Sequence, residues 1–255
     1  MFQGQEQGFA FIAEPWPFEP DRPTLLFIHG AGMSKSFWAR QVTGLSHAAN
    51  CVAADLPGHG ESLGPGAKTI DEYSDRVLEF VDLLCLGSPV LCGHSMGGAI
   101  AQNLLIGNPG VFRAGVLIST GARLKVLPLV FETLEKGMDT FADLTLSVAL
   151  AEPHRTDAIR AEVRKSMTSD PAVAKDDFTA CNAFDVMDRL STIDMPVLVI
   201  GSSEDLSTPL KYSKYLADSI PGARLVVIDG AGHFAPIEKT GEVNAAIAGF
   251  LNRLA

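Results

Sequence analysis

Three residues of this chain have the types and settings that acyl transfer requires: a serine between glycines, an acid after an apolar run, and a histidine in a glycine-rich loop. Gly93-His94-Ser95-Met96-Gly97 follows the apolar run that begins at Val90 and precedes a helix-like run, so it reads as strand, sharp turn and helix. A serine at such a turn takes a strained backbone conformation, and glycines two residues to either side let neighbouring chain approach. The hydroxyl is then held out above the sheet. The helix begins at Met96, so its free N–H groups and positive dipole end face the place where negative charge develops beside Ser95.

Serine is a poor nucleophile at neutral pH and needs a general base within hydrogen-bond reach, which in turn needs an orienting acid. Of six histidines, His233 is the best placed, in the loop Asp229-Gly230-Ala231-Gly232-His233-Phe234 after the run Leu225 to Ile228. Asp205 follows the run Val197 to Ile200, at a carboxyl end where open α/β sheets bind ligands. Glu204 abuts it and is the alternative acid. The chain order is then Ser, Asp, His, the order that a nucleophile elbow imposes. His94 adjoins the nucleophile but points elsewhere at a sharp turn. His29 and His59 lie in glycine-rich turns and are expected to satisfy buried backbone groups, and Asp55 to bond backbone. His47 and His154 are expected in solvent.

The elements that must position these groups alternate along the chain. Strands are expected at Phe9 to Ala13, Thr24 to Ile28, Cys51 to Ala54, Val90 onward, Ala114 to Ile118, Met195 to Ile200 and Leu225 to Ile228. Thr69 and Glu72 form a capping-box pattern before a helical stripe of Tyr73, Val77, Phe80, Val81 and Leu84. A second stripe, Val243, Ile247, Phe250, Leu251 and Leu254, closes the chain. The result is an α/β fold with a mostly parallel, doubly wound sheet. Between Ala122 and Leu190 apolar residues recur at helical intervals with no strand run. This predicts a helical cap over residues 122–190, with the core built from 1–121 and 191–255. Phe131, Phe141, Phe178, Phe184 and Met187 are its expected lining, completed by Gly32 and Phe234 beside the candidate loops.

Composition narrows the function classes. The 255 residues are 47% hydrophobic and 20% charged, enough to bury a large core. A formal charge of −10 repels phosphate backbones and anionic lipid, so neither nucleic acid nor membrane is an expected partner. Cys51, Cys85, Cys92 and Cys181 lack paired spacing and read as small buried hydrophobes in a reducing cytoplasm. No export signal or membrane span is read, since no apolar run approaches 18 residues. No metal or nucleotide motif is present, no cofactor is expected, and the oligomeric state is left open.

These pieces together resemble the α/β-hydrolase fold, and within it the compact esterase, lactonase and haloperoxidase-like enzymes with a helical cap. The resemblance rests on His29-Gly30, Asp55-x-Pro57-Gly58-His59-Gly60-x-Ser62, Gly93-His94-Ser95-Met96-Gly97-Gly98, Gly201 to Asp205 and Gly232-His233, and spans nearly the whole chain. It implies Ser95 as nucleophile, Asp205 as acid and His233 as base, with the N–H groups of Met96 and Ala31 as oxyanion donors. Several relatives carry a large aromatic where this chain has Ala31, which leaves the second donor open between Ala31 and Gly32 and implies a roomier acyl pocket. Relatives that are dehalogenases or epoxide hydrolases use aspartate at the elbow, and Ser95 argues against both. The implied reaction is hydrolysis of an ester, thioester or lactone. C–C bond hydrolysis of ring-cleavage diketones, perhydrolysis and a non-catalytic ligand receptor are the alternatives.

Overall fold

The computed structural model describes residues 1–168 and 170–254. Among them, eight strands form one sheet in the order β1-β2-β4-β3-β5-β6-β7-β8. The strands are β1 (Phe2–Glu6), β2 (Phe9–Glu14), β3 (Thr24–Ile28), β4 (Asn50–Ala54), β5 (Val90–His94), β6 (Ala114–Ile118), β7 (Val197–Ser202) and β8 (Arg224–Ile228). β1 and β2 pair antiparallel, and β2 lies antiparallel on β4; every other pairing is parallel. β1 is the strand that the sequence pattern did not predict. Its residues are mostly exposed, so it lacks the apolar alternation that marks a half-buried strand. The central strands β4, β5, β6 and β7 are buried along their whole length, as a parallel sheet covered on both faces requires.

Helices cover the two faces. On one lie α1 (Ala39–Leu45), after a 3-10 turn over Lys35–Trp38, and the closing pair α9 (Ala235–Glu238) and α10 (Thr240–Leu251). On the other lie α2 (Ile70–Leu83), α3 (Met96–Gly107) and α8 (Leu210–Ser219). The capping box that opens α2 is formed: Thr69 Oγ1 accepts from the Glu72 N–H, and the Glu72 carboxylate accepts from the Thr69 N–H. Leu254 falls beyond the end of α10, one turn short of its expected stripe.

Between β6 and β7 lie α4 (Pro128–Glu135), α5 (Met138–Val148), α6 (Asp157–Lys165) and α7 (Pro171–Ala183). The last residues of this interval return to the sheet, where Phe184, Val186 and Leu190 join the buried cluster that packs α2 and α3. Cys51, Cys92 and Cys181 are buried free thiols, whereas Cys85 is exposed. Cys85 sits at φ 50°, just past the end of α2, where the chain turns sharply enough to lift it out of the core. No helix among the described residues is long and apolar enough to cross a membrane.

Candidate active site

Ser95 occupies the corner between β5 and α3 at φ 52°, ψ −115°, a left-handed conformation that a side chain rarely adopts. Such a residue costs about 1–3 kcal/mol and persists only where its surroundings over-determine it. Here the Ser95 N–H donates to the Ile118 carbonyl at 3.0 Å, and the Ser95 carbonyl accepts from Gly98 N–H (2.9 Å), Ala99 N–H (3.1 Å) and the Thr120 hydroxyl (2.8 Å). Glycine is required on both sides of the corner. A Cβ on Gly93 would land on the Gly97 carbonyl, and one on Gly97 would land on the Ile28 carbonyl.

The candidate acid and base arrive from the ends of β7 and β8. His233, on the loop after β8, places Nδ1 2.9 Å from Asp205 Oδ2, and Asp205 lies on the loop after β7. Asp205 is also held by the Ser207 and Thr208 N–H groups on Oδ1 and by the Thr208 hydroxyl on Oδ2, each at 2.8 Å. Burial alone would raise its pKa, but His233 and the Thr208 donors outweigh that and hold it below the ordinary 3.8. The adjacent Glu204 is exposed, and among the described residues its one hydrogen bond is from its N–H to the Ala231 carbonyl.

The loop that carries His233 is clamped from several sides. Its N–H donates to the Ala149 carbonyl at 2.6 Å and its carbonyl accepts from His94 Nε2 at 2.8 Å. The buried Glu238 accepts from Gly232, Phe234 and Ala151 N–H groups at 2.9–3.0 Å. Thr208, Glu238 and Ala149 were not legible as site residues in the sequence, because each acts through backbone or acid contacts fixed only in three dimensions. His29 and His59 bond backbone as expected. His29 Nε2 accepts from the Leu56 N–H at 3.1 Å while Nδ1 donates to the Gly30 carbonyl at 2.9 Å. His59 Nδ1 donates to the Pro57 carbonyl at 3.0 Å. Asp55 accepts from Lys35 and Glu61 N–H groups and pairs with the Lys35 ammonium at 2.6 Å. His47 is exposed and His154 partly so.

Among the backbone N–H groups near Ser95 without a protein partner in the described residues are that of Met96, the first of α3, and that of Ala31, in the loop after β3. The Gly32 N–H donates instead to Asp177 Oδ2 at 2.7 Å.

Ser95, His233 and Ala31 open on one cavity of about 250 Å³. Phe141, Phe178 and Phe234 line it, the first two in edge contact at 5.5 Å. Gly32, Phe131, Phe184 and Met187, expected there, do not. Both polar groups of Gly32 are taken by the helical segment, its carbonyl accepting from the Thr168 N–H at 2.9 Å. Phe184 and Met187 pack with the sheet core, and Phe131 is half-buried on α4, whose Leu129 and Val130 line the cavity instead. Most of the wall is aliphatic, from Leu124, Val126, Leu144 and Val148 among others. Helical spacing marked the right segment and, of its five expected lining residues, Phe141 and Phe178. Lys125 is the one cation lining the cavity among the described residues, and its ammonium donates to the Asn182 carbonyl at 3.1 Å.

The sheet is open and mostly parallel, with a strained serine at one strand end and a carboxylate and imidazole at two others. The alpha/beta hydrolase family model matches residues 25–246, and the chain belongs to that family. A thermophilic esterase of known structure is 34% identical and superposes with a TM-score of 0.85, covering 100% of this chain and 98% of its own. The enol-lactonase from Burkholderia xenovorans is 26% identical with a TM-score of 0.89 over 98% of this chain and 99% of its own. The 3-oxoadipate enol-lactonase 2 of Acinetobacter baylyi is 27% identical over 251 residues, covering 92% of this chain and 91% of that protein. The protein is an enzyme of the α/β-hydrolase class.

Proposed function

We propose that the protein hydrolyses carboxylic esters, open or cyclic, of small to medium apolar molecules through an acyl-enzyme on Ser95. The observation that carries this is the 2.9 Å contact of His233 with Asp205 at the edge of an apolar cavity that Ser95 and His233 both line. Ser95 Oγ attacks the ester carbonyl and gives its proton to His233 Nε2, and Asp205 steadies the imidazolium through Nδ1. The negative oxygen of the tetrahedral intermediate lies against the Ala31 and Met96 N–H groups. His233 then protonates the leaving alkoxide, the C–O bond breaks, and an acyl-Ser95 ester remains. Water, deprotonated by His233, attacks that ester and releases the acid and Ser95.

In this reading residues 122–190 form a cap over a core of 1–121 and 191–255. The substrate is neutral at the reacting end, because burying an unpaired charge costs several kcal/mol and Lys125, the cation on the cavity wall, donates to the Asn182 carbonyl. Arg164 pairs with Asp139 and Asp143, and Arg155 and Arg160 donate to backbone carbonyls. A lactone is the favoured variant of the ester, since it has the same bond chemistry and two of the related proteins are enol-lactonases. The partner is a small molecule, not nucleic acid or membrane, and the buried free thiols suit the cytoplasm.

The test is active-site labelling followed by kinetics. A fluorophosphonate should modify Ser95 in the native enzyme, and Ser95→Ala should lose label together with about 10⁶-fold of its p-nitrophenyl ester turnover. A folded Ser95→Ala protein retaining more than about a hundredth of native turnover overturns the proposal.

A further inference from the structure

The loop that carries the second oxyanion donor is fastened by the cap, through one buried carboxylate. Asp177 lies on α7 and is fully buried, and three donors converge on it from the core. The Gly32 N–H reaches Oδ2 at 2.7 Å, His59 Nε2 reaches the same oxygen at 2.8 Å, and the Tyr73 hydroxyl donates to Oδ1. Because His59 Nδ1 also donates, to Pro57, both ring nitrogens carry protons and the His59–Asp177 contact is a buried ion pair. Burial opposes that charge, but Asp177 and the Pro57 carbonyl raise the His59 pKa above its ordinary value.

Among the described residues, no strand residue bonds the Gly32 backbone. Gly32 sits at φ +69°, its N–H is held by Asp177 and its carbonyl by Thr168 of the cap, and Met33 bridges Met167. With Gly32 so committed, the neighbouring Ala31 N–H is left without a partner, on the wall of the cavity that holds Ser95. The next residue of α7, Phe178, lines that cavity, so one turn of helix both shapes the acyl pocket and fixes the loop.

We infer that Asp177 is a positioning residue for the oxyanion hole: by holding the Gly32 N–H it aims the Ala31 N–H at the developing oxyanion, and so ties catalysis to seating of the cap. This rests on the Ser95 ester-hydrolase reading. A donor misplaced by a fraction of an ångström weakens transition-state binding more than substrate binding, so the loss falls on kcat.

Asp177→Ala should lower kcat for a p-nitrophenyl ester by about 10- to 100-fold with KM changed less than about threefold, since full loss of one oxyanion donor costs about 10²–10³. Asp177→Asn should recover most of that rate: its amide oxygen can still accept from Gly32 while its NH₂ turns to the Tyr73 hydroxyl, which can accept. Ala180→Gly, buried on the same helix, is the comparison for lost cap stability. It should lower Tm while keeping kcat within about twofold, as a helix glycine costs stability alone. Equal kcat in Asp177→Ala and native enzyme, equal losses in Asp177→Ala and Ala180→Gly, or no recovery in Asp177→Asn overturns the inference. The native enzyme gives an answer independent of any variant's folding. On phosphonylation of Ser95, the ¹⁵N–¹H signals of Ala31 and Met96 should shift while that of Gly32 stays in place and resists exchange. A Gly32 signal that moves with the phosphonate, or exchanges freely, overturns it equally. Failure of Ser95 to label at all counts against the ester-hydrolase reading instead.

Discussion

His94 Nε2 donates to the main-chain carbonyl of His233 at 2.8 Å, so the residue before Ser95 holds the backbone of His233. Their rings lie 4.7 Å apart. Burial first, and then the neighbouring His233 imidazole, push the His94 pKa down to about 3, so His94 is neutral and its one proton sits on Nε2. His94→Ala would strand the His233 carbonyl and leave a hole beneath it. The expected cost is about 2–4 kcal/mol of stability with a kcat loss well short of that for Ser95→Ala. Urea unfolding and saturating ester kinetics on the same preparation measure both. An unaltered midpoint contradicts this view of His94.

Asp205 and Glu204 are adjacent in sequence and opposite in setting, one buried with donors on both oxygens and the other in solvent. Asp205→Asn presents an NH₂ to at least one of those donors and disturbs the His233 tautomer, so kcat should fall about 10⁴-fold. Glu204→Gln should leave kcat within about twofold, in line with surface changes generally. The reverse ranking would transfer the acid role to Glu204.

The histidines predict a stability maximum near pH 6.5. Burial, and then the charge on His59, push His29 down to about 3, and His94 is lowered to about 3 as well. Between those values and 6.5 the unfolded chain takes up two protons that the folded chain refuses. Stability therefore falls as pH drops, by about 1.4 kcal/mol per pH unit for each histidine. Above 6.5 the folded chain alone keeps the His59 proton, because His59 is raised, so its contribution is full below 6.5 and is lost as pH climbs through the raised value. Asp205, lowered, adds stability above 3.8 that disappears below it. Glu238, raised by burial, works in the opposite sense above 4.5 and reduces the acid slope there. Denaturation midpoints at pH 5, 6.5 and 8 should peak at the middle value, and His59→Gln should flatten the alkaline limb. A steady rise from pH 5 to 8 in the native protein contradicts the assignment.

Acyl-chain preference follows from an apolar cavity of about 250 Å³. Each buried methylene contributes about 0.8 kcal/mol, so kcat/KM should rise about two- to fourfold per carbon until the cavity fills. At the mouth, Leu127 and Leu206 are 70% and 67% exposed, an apolar rim that receives the last carbons of a chain without enclosing it. A p-nitrophenyl ester series should peak at or below about eight acyl carbons, given the modest size of the site. A maximum at sixteen carbons, or a requirement for a free carboxylate on the substrate that Lys125→Gln abolishes, contradicts the neutral, medium-chain reading.

Seven of the eight strands, their helical cover and the chain order Ser95, Asp205, His233 are legible in the residues alone, because these are written in local patterns. Buried parallel strands are continuous apolar runs, the elbow needs glycine where backbones touch, and strand ends carry loops to one edge. The sequence also marked the helical interval between β6 and β7. Which side chains of that interval face Ser95 was decided by tertiary packing. Phe141 and Phe178 line the cavity while Phe184 and Met187 join the sheet core, since apolar periodicity shows that a face is buried but not against what. Asp177 shows the same limit from the polar side. It shares the buried face of α7 with Val173, Ala174 and Cys181, so the sequence places a carboxylate on an apolar stripe, four residues after Val173 and four before Cys181. Its partners stand 145, 118 and 104 residues away. Only the folded chain brings Gly32, His59 and Tyr73 to one carboxylate, because burial of a charge is stable only where partners from distant segments converge on it.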